Sequence, residues 1–252
     1  MAGNSIGKHF QLMTYGESHG VAIGGIIDGI PAGLTIDIQS VQLELSRRRP
    51  GQSNLVTPRK ENDEVHFLSG FVEKENSIVT LGSPIGFQIN NKDAKSGDYT
   101  HLENAFRPSH ADYTYTQKFG LRDHRGGGRA SARETAARVV AGAIAQQLLE
   151  KNCGTRVSAY VERVHDISMP NKPDFYEKSH IDTSPVRCPN PDVSHRMEQR
   201  IAEIRDEGDS VGGAIVVVAK GVPVGLGEPV FDKLNADLAK AILSIPATIL
   251  TS

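Results

Sequence analysis

Arginines and histidines set beside turns are the residues of this chain best suited to chemistry. Three separate segments combine guanidinium groups with a chain reversal: Arg47-Arg48-Arg49 ahead of Pro50-Gly51, Arg107 ahead of Pro108, and Arg125, Arg129 and Arg133 around Gly126 to Gly128. Arginine grips phosphate and carboxylate through paired N–H bonds, so these segments predict contacts to an anion. From Gly126 to Thr135, glycines lead through Ser131 into a helix, a pattern that exposes backbone amides to a phosphate or another anion. The same residues also read as an ordinary cap, Ser131 with Glu134 three positions later, and the two uses are compatible. His19, in Gly16-Glu-Ser-His-Gly20, and His110, followed by Ala111-Asp112, carry the side chain whose charge changes near neutral pH. Both are candidates for proton transfer. A hydrogen-bonded structural histidine is the alternative for His19, and Asp112 is the carboxylate expected to orient His110.

Other chemistries find no support in the residue pattern. Neither an HxxxH pair nor a dinucleotide fingerprint occurs, and Cys153 and Cys188 stand 35 positions apart, which is no metal-ligand spacing. No metal is expected, and two scattered cysteines fit a reducing cytoplasm. With 38% hydrophobic and 23% charged residues in 252, the composition is that of a folded globular protein. A net charge of −2 and the absence of Trp, with six Tyr and eight Phe, argue against a nucleic-acid partner, so anion binding is expected to be local. The first twenty residues lack a continuous apolar h-region. The strongest apolar run, Ala214 to Ala219, falls far short of a membrane span, so no membrane partner is expected.

The elements that must hold these residues are announced by a self-match. Gly16 to Leu34 aligns without gaps on Gly208 to Leu226, an offset of 192, with nine of nineteen positions identical. Each copy reads as turn, strand, turn, and together they predict an internal duplication. The first repeat covers about residues 16–207 and a partial second repeat 208–252, within a single domain spanning 1–252. His19 matches Val211 while the Gly and Ser frame is kept, so the frame itself does not need histidine. Strands are expected at Val21 to Ile27, Glu64 to Leu68, Ile85 to Ile89 and Arg156 to Val164. Helices are expected at Ser40 to Arg49, Ala132 to Glu150, Ser194 to Glu207 and Phe231 to Ile245. Ala132 to Glu150, rich in Ala and Gly, predicts a central helix approached closely on more than one side. Asn90 to His110 reads as a polar, irregular loop, functional or mobile. From these residues alone the chain is an α+β protein able to bind a multiply anionic ligand and transfer protons.

At these residues the chain closely resembles the chorismate synthase family, from about Met1 to Ala247. GESHG at Gly16 to Gly20, RRRPGQS at Arg47 to Ser53, and RPSHADYTY through GLRDHRGGGRASARETAARVVAGA at Arg107 to Ala143 carry the resemblance. DSVGG and GVPVGLGEPVFDKLNADLAKA, the latter at Gly221 to Ala241, add to it. The resemblance implies a β-α-β sandwich with pseudo-symmetric halves and helices between two antiparallel sheets, the second repeat being incomplete here, and assembly as a homotetramer. It implies anti-1,4-elimination of phosphate from 5-enolpyruvylshikimate 3-phosphate to give chorismate, with reduced FMN and no net redox change.

Carried over residue by residue, His110 resembles the histidine beside the flavin and His19 the acid that assists departure of phosphate. Ser18 and Ser131 match hydrogen-bonding serines. Arg48, Arg49, Arg107 and Arg133 match substrate-binding arginines, with Arg48 also an NADP contact if NADPH serves as flavin reductant. Arg129, Ala130 and Ser131 match an FMN-binding stretch, and Pro246 and Ala247 another flavin-contacting pair. Two departures stand out. Asn54 takes a position where many members have another Arg. Roughly the last third of the family pattern, with a Lys-Pro flavin segment and a catalytic Asp, has no counterpart in these 252 residues, where Ile249 to Ser252 replaces an expected Lys-Gly turn. The expectation is a truncated or incompletely represented member, and the other reading is an inactive anion-binding or assembly remnant.

Overall fold

The computed structural model describes residues 3–48, 63–91, 102–103, 105–170 and 173–249. These residues form two compact units. The described residues of the first lie within Met1–Arg49, Glu61–Gln147 and Gly225–Ser252, and those of the second within Leu148–Val224.

In the first unit, β1 (Ser5–Ile6), β2 (Gln11–Tyr15), β3 (Ala22–Asp28), β5 (Val65–Phe67) and β8 (Ile85–Asn90) make an antiparallel sheet ordered β1-β2-β3-β8-β5. β-branched residues on β3 and β8 alternate inward, and Ile23, Ile27, Ile85, Phe87 and Ile89 are fully buried. A second antiparallel sheet, β4-β7-β6, joins β4 (Thr35–Asp37), β7 (Ser77–Thr80) and β6 (Phe71–Lys74). Helix α1 (Ile38–Arg48) starts where Asp37 accepts the Gln39 amide at 2.8 Å. It lies against β7 and buries Val41 and Leu45, ending on Arg47 and Arg48, where cations suit the carbonyl end of a helix. Helix α2 (Asp112–Phe119) stops at left-handed Gly120.

Helix α3 (Thr135–Cys153) is entered through two 3₁₀ turns, Gly128–Ala130 and Ala132–Glu134. The helix expected from Ala132 therefore begins one tight turn late. Its buried residues, Ala136, Ala137, Val140, Ala141, Ala143 and Ile144, follow one stripe. Gly142 and the last turn are exposed, so close approach is confined to that stripe.

Within the second unit, β9 (Arg156–Val164) is flanked by β10 (Ile167–Ser168) and β11 (Gly213–Lys220), again antiparallel. A short helix α4 (Lys178–Ile181) precedes α5 (Pro191–Asp206). Helix α5 begins three residues before the expected Ser194, because Asn190 caps the Val193 amide at 3.1 Å and Pro191 takes the first helical position, where a missing N–H costs nothing. It packs on β9 and β10 through Val193 and Met197, with Tyr160 and Val164 in the same cluster. Helix α6 (Leu234–Leu243), back in the first unit, is shorter than the expected Phe231 to Ile245. A turn in which the Glu228 amide donates to the Asp232 carbonyl holds Phe231 out, and Pro246 disfavours helix in the residue before it. None of its residues is buried.

The fold is thus mixed α+β with antiparallel sheets, as the sequence indicates. Both copies of the self-match are strands, β3 and β11. Their flanking glycines agree in backbone sign: φ is +88° and +76° at Gly16 and Gly208, +83° and +73° at Gly29 and Gly221, and +80° and +95° at Gly33 and Gly225. Such angles strain any residue with a Cβ by about 1–2 kcal/mol. At Gly29 a Cβ would also collide with the His9 carbonyl, whereas nothing lies within 4 Å at Gly33. Gly29→Ala is therefore expected to cost about 3 kcal/mol or more and Gly33→Ala about 1–2 kcal/mol, read from urea-unfolding midpoints.

Candidate active site

The site is assembled from the loop after β2, the end of α1, the approach to β5, and the turns before α2 and α3. Gly16, whose positive φ turns the chain, delivers Ser18 and His19 into buried positions, 8% and 6% exposed. His19 Nδ1 lies 3.2 Å from Ser18 Oγ, and the Ser18 hydroxyl donates to the Arg125 carbonyl at 3.5 Å. The imidazole rests on Gly126, where a Cβ would fall inside the ring's envelope. At Gly127 a Cβ would come within 3.2 Å of Arg107 Nη2. The glycines thus make room for His19 and Arg107. The amides of Gly128, Ala130 and Ser131 are taken by the carbonyls of Arg125, Gly127 and Gly128, so these three are used within the turn.

The capping reading holds in part. Ser131 Oγ accepts from the Arg133 amide at 3.3 Å, but buried Glu134 accepts from Arg138 at 2.7 Å, and the Ser131 amide is already bonded to Gly128. Arg129 is tied to the loop it faces. Its Nη1 donates to the Gly16 carbonyl at 3.1 Å and its Nη2 to Thr14 Oγ1 at 2.6 Å. Arg125 pairs with Asp123 at 2.9 Å.

Arg48 and Arg133, far apart in the chain, meet on one carboxylate. Asp63 accepts Arg48 Nη1 on Oδ2 at 2.9 Å and Arg133 Nη1 on Oδ1, with 1% of its side chain exposed. Arg48 also donates to the Ala132 carbonyl at 3.1 Å. Two residues fix this cluster. Gln42 of α1 donates to the Asp63 carbonyl at 2.5 Å and accepts the Val65 amide at 3.3 Å. Asn91 accepts Arg133 Nε at 3.0 Å while donating to the carbonyls of Glu17 and Gly20, at 3.1 and 2.9 Å. Asn91 therefore joins the histidine loop to the arginine cluster in one network. Asp63, Asn91 and Gln42 escape a sequence reading, because a lone Asp among charged neighbours or an amide at a strand end has the pattern of a surface residue.

Arg107 is held bidentately by Asp112, Nε to Oδ2 and Nη2 to Oδ1, both at 2.9 Å. These bonds from Arg107 dominate over burial and hold the Asp112 carboxyl down at about 2 against its usual 3.8. Asp112 is thus spent on Arg107 and does not orient His110, contrary to what the spacing suggests. His110 is exposed, and its Nδ1 lies 3.0 Å from the Pro108 carbonyl, which can only accept, so Nδ1 carries the proton of that bond. Pro246 and Ala247 are exposed just beyond α6, and Ser244 there accepts from Arg138 Nη1 at 2.6 Å. Arg49 and Asn54 lie outside the described residues.

A cleft of about 240 Å³ opens beside Arg129 and Ala130, walled by Tyr115, Phe119 and Leu121 and edged by Glu17 and Asp112. An apolar aromatic wall suits a flat ring. Among the described residues no set of His, Cys, Asp or Glu is arranged to hold a metal ion, and no helix is long and apolar enough to cross a membrane.

An α+β fold that gathers arginines and a buried histidine onto one hydrogen-bonded network defines a protein equipped to take a multiply charged anion and handle protons. Comparison with known proteins gives that class its family. The chorismate synthase family profile matches residues 10–249. The chorismate synthase of Christiangramia forsetii is 58% identical over 247 residues, 98% of this chain and 68% of that one. That of Flavobacterium psychrophilum is 53% identical with the same coverage. A crystal structure of chorismate synthase superposes with a TM-score of 0.73 at 30% identity, covering 95% of this chain and 67% of the other. The chain belongs to the chorismate synthase family, and it spans about two thirds of the length of these relatives.

The depressed carboxyl of Asp112 makes stability depend on pH in a defined direction. A carboxylate favoured in the folded state stabilises fully above its unfolded value of 3.8, and that contribution is lost as pH falls toward about 2. Asp112→Asn should therefore lose about 2 kcal/mol at pH 7, and the difference from the parent should vanish between pH 4 and 2 in urea titrations.

Proposed function

We propose that this chain carries out the reaction of its family, the anti-1,4-elimination of phosphate from 5-enolpyruvylshikimate 3-phosphate to give chorismate. What supports this reading above all is the network that ties Ser18 and His19, through Asn91, to Arg133, Asp63 and Arg48. The substrate carries a phosphate and two carboxylates, which calls for several separate guanidinium groups rather than one. In this reading Arg48, Arg49, Arg107 and Arg133 bind the substrate, and His19 gives a proton to the departing phosphate. Ser18 holds the His19 ring in place. Ser131 keeps Arg133 at the start of α3. His110, its Nδ1 bonded to the Pro108 carbonyl, lies beside the flavin and supplies the proton it takes up.

Reduced FMN, when bound, supplies electron density to the substrate as phosphate leaves, with no net oxidation. The cleft beside Arg129 and Ala130 has the apolar wall a flavin ring needs, and the family resemblance assigns Ser131, His110, Pro246 and Ala247 to the same group. NADPH, meeting Arg48, is the reductant in this reading. The protein works in the cytoplasm as a homotetramer acting on a small molecule.

An anaerobic assay with dithionite-reduced FMN and 5-enolpyruvylshikimate 3-phosphate should show chorismate absorbance growing with time. His19→Ala and His110→Ala should each lower kcat about 10²- to 10⁴-fold, the usual worth of a positioned acid or base, with flavin binding retained in the His19 variant. Substrate and flavin bound without turnover, or rates unchanged in both variants, would overturn the assignment.

A further inference from the structure

We infer that Asp63 is a positioning residue: a fixed internal counter-ion that spreads Arg48 and Arg133 into a preformed receptor for an anionic ligand and sets the receptor's charge. The inference rests on the function proposed above for the ligand's identity, but its physical basis is independent of it. Each carboxylate oxygen holds a different guanidinium, Oδ2 that of Arg48 and Oδ1 that of Arg133. A single rigid group therefore fixes the separation and the tilt of both forks. Only 1% of the Asp63 side chain is exposed, and Gln42 clamps its backbone from α1, so an incoming anion cannot swing it aside. The two arginines differ in access. Arg48 keeps 20% of its side chain in solvent and Arg133 only 7%, so a ligand meets Arg48 first and Arg133 at greater depth.

Charge follows from the same geometry. Two guanidinium groups and one carboxylate carry a net charge of +1, where the arginines alone would carry +2 and repel one another. A receptor of +1 with fixed forks selects by shape. One of +2 with loose forks binds any small anion more strongly and the shaped substrate less well, since positioning is lost as attraction is gained. Removing the Asp63 charge should thus separate two affinities that a purely structural role would move together.

The test uses the full chain with Asp63→Asn and Asp63→Glu, and inorganic phosphate as the probe. Phosphate affinity is read by ³¹P line broadening or calorimetry, and substrate KM and kcat by the anaerobic assay. Asp63→Asn is expected to bind phosphate about threefold to tenfold more tightly while KM for substrate rises about tenfold and kcat stays within threefold. Asp63→Glu, which restores the charge, should return phosphate affinity to the parent value. Equal affinities in the parent and Asp63→Asn, or phosphate and substrate weakening together, would overturn the inference. If Asp63→Asn does not fold, combining it with Arg48→Met decides the question. Recovery of folding shows that the carboxylate is needed as a counter-charge, and continued failure shows a structural need that overturns the proposal. Phosphate binding is measurable without turnover, so failure of the elimination assay in the parent chain counts against the proposed function and leaves the Asp63 inference to be judged on its own readout.

Discussion

A buried carboxylate between two guanidinium groups is the constraint on which the site depends. Burying a charge is tolerable only when its partners are close and its remaining lone pairs are used, and losing one partner of such a pair typically costs about 3–5 kcal/mol. Asp63 meets that requirement by drawing together the end of α1, through Arg48, and the approach to α3, through Arg133. Asn91 extends the same demand to the loop after β2, since its amide is shared between Arg133 and the carbonyls of Glu17 and Gly20. The elements around the site are therefore not free to drift separately. Each polar contact satisfies a group that the others have removed from water.

Glycine has a second part in this arrangement. Gly126 and Gly127 are needed for the space they leave: one admits the His19 ring, the other the Arg107 guanidinium. Arg107 is in turn oriented by Asp112, and Arg129 ties the glycine-rich turn to β2. Arginines of similar appearance in the sequence thus do different work. Arg129 braces the loop after β2, while Arg48, Arg107, Arg125 and Arg133 hold their forks on carboxylates.

The repeat separates what the backbone requires from what the chemistry adds. Gly16 and Gly208, Gly29 and Gly221, and Gly33 and Gly225 share positive φ, and β3 and β11 occupy matching positions. Between them, Ser18-His19 in one copy stands against Ser210-Val211 in the other. The turn-strand-turn frame forms with either pair. The two strands also differ in surroundings: β3 is largely buried, whereas Ile215 and Val217 of β11 are 70% and 55% exposed.

Local features are legible in the residues themselves. β9 runs over the Arg156 to Val164 expected from its residues, and α1, α3, β3 and β8 lie within a few positions of their expected bounds. Capping and proline chemistry account for the shifts at α5 and α6, effects carried by one or two residues at an element's edge. Residue types suited to anions and protons are equally visible, because arginine, histidine and glycine near turns keep their chemistry in any fold. Their partners are not. Arg133 and Asp63 are 70 positions apart, and Asp112 is available to His110 by spacing yet is bound by Arg107. Periodicity and turn residues act over a few positions and so can be read along the chain. Which buried charges share a carboxylate, and which glycine yields to which ring, is settled only when sheets and helices close on one another and each desolvated group must find a partner.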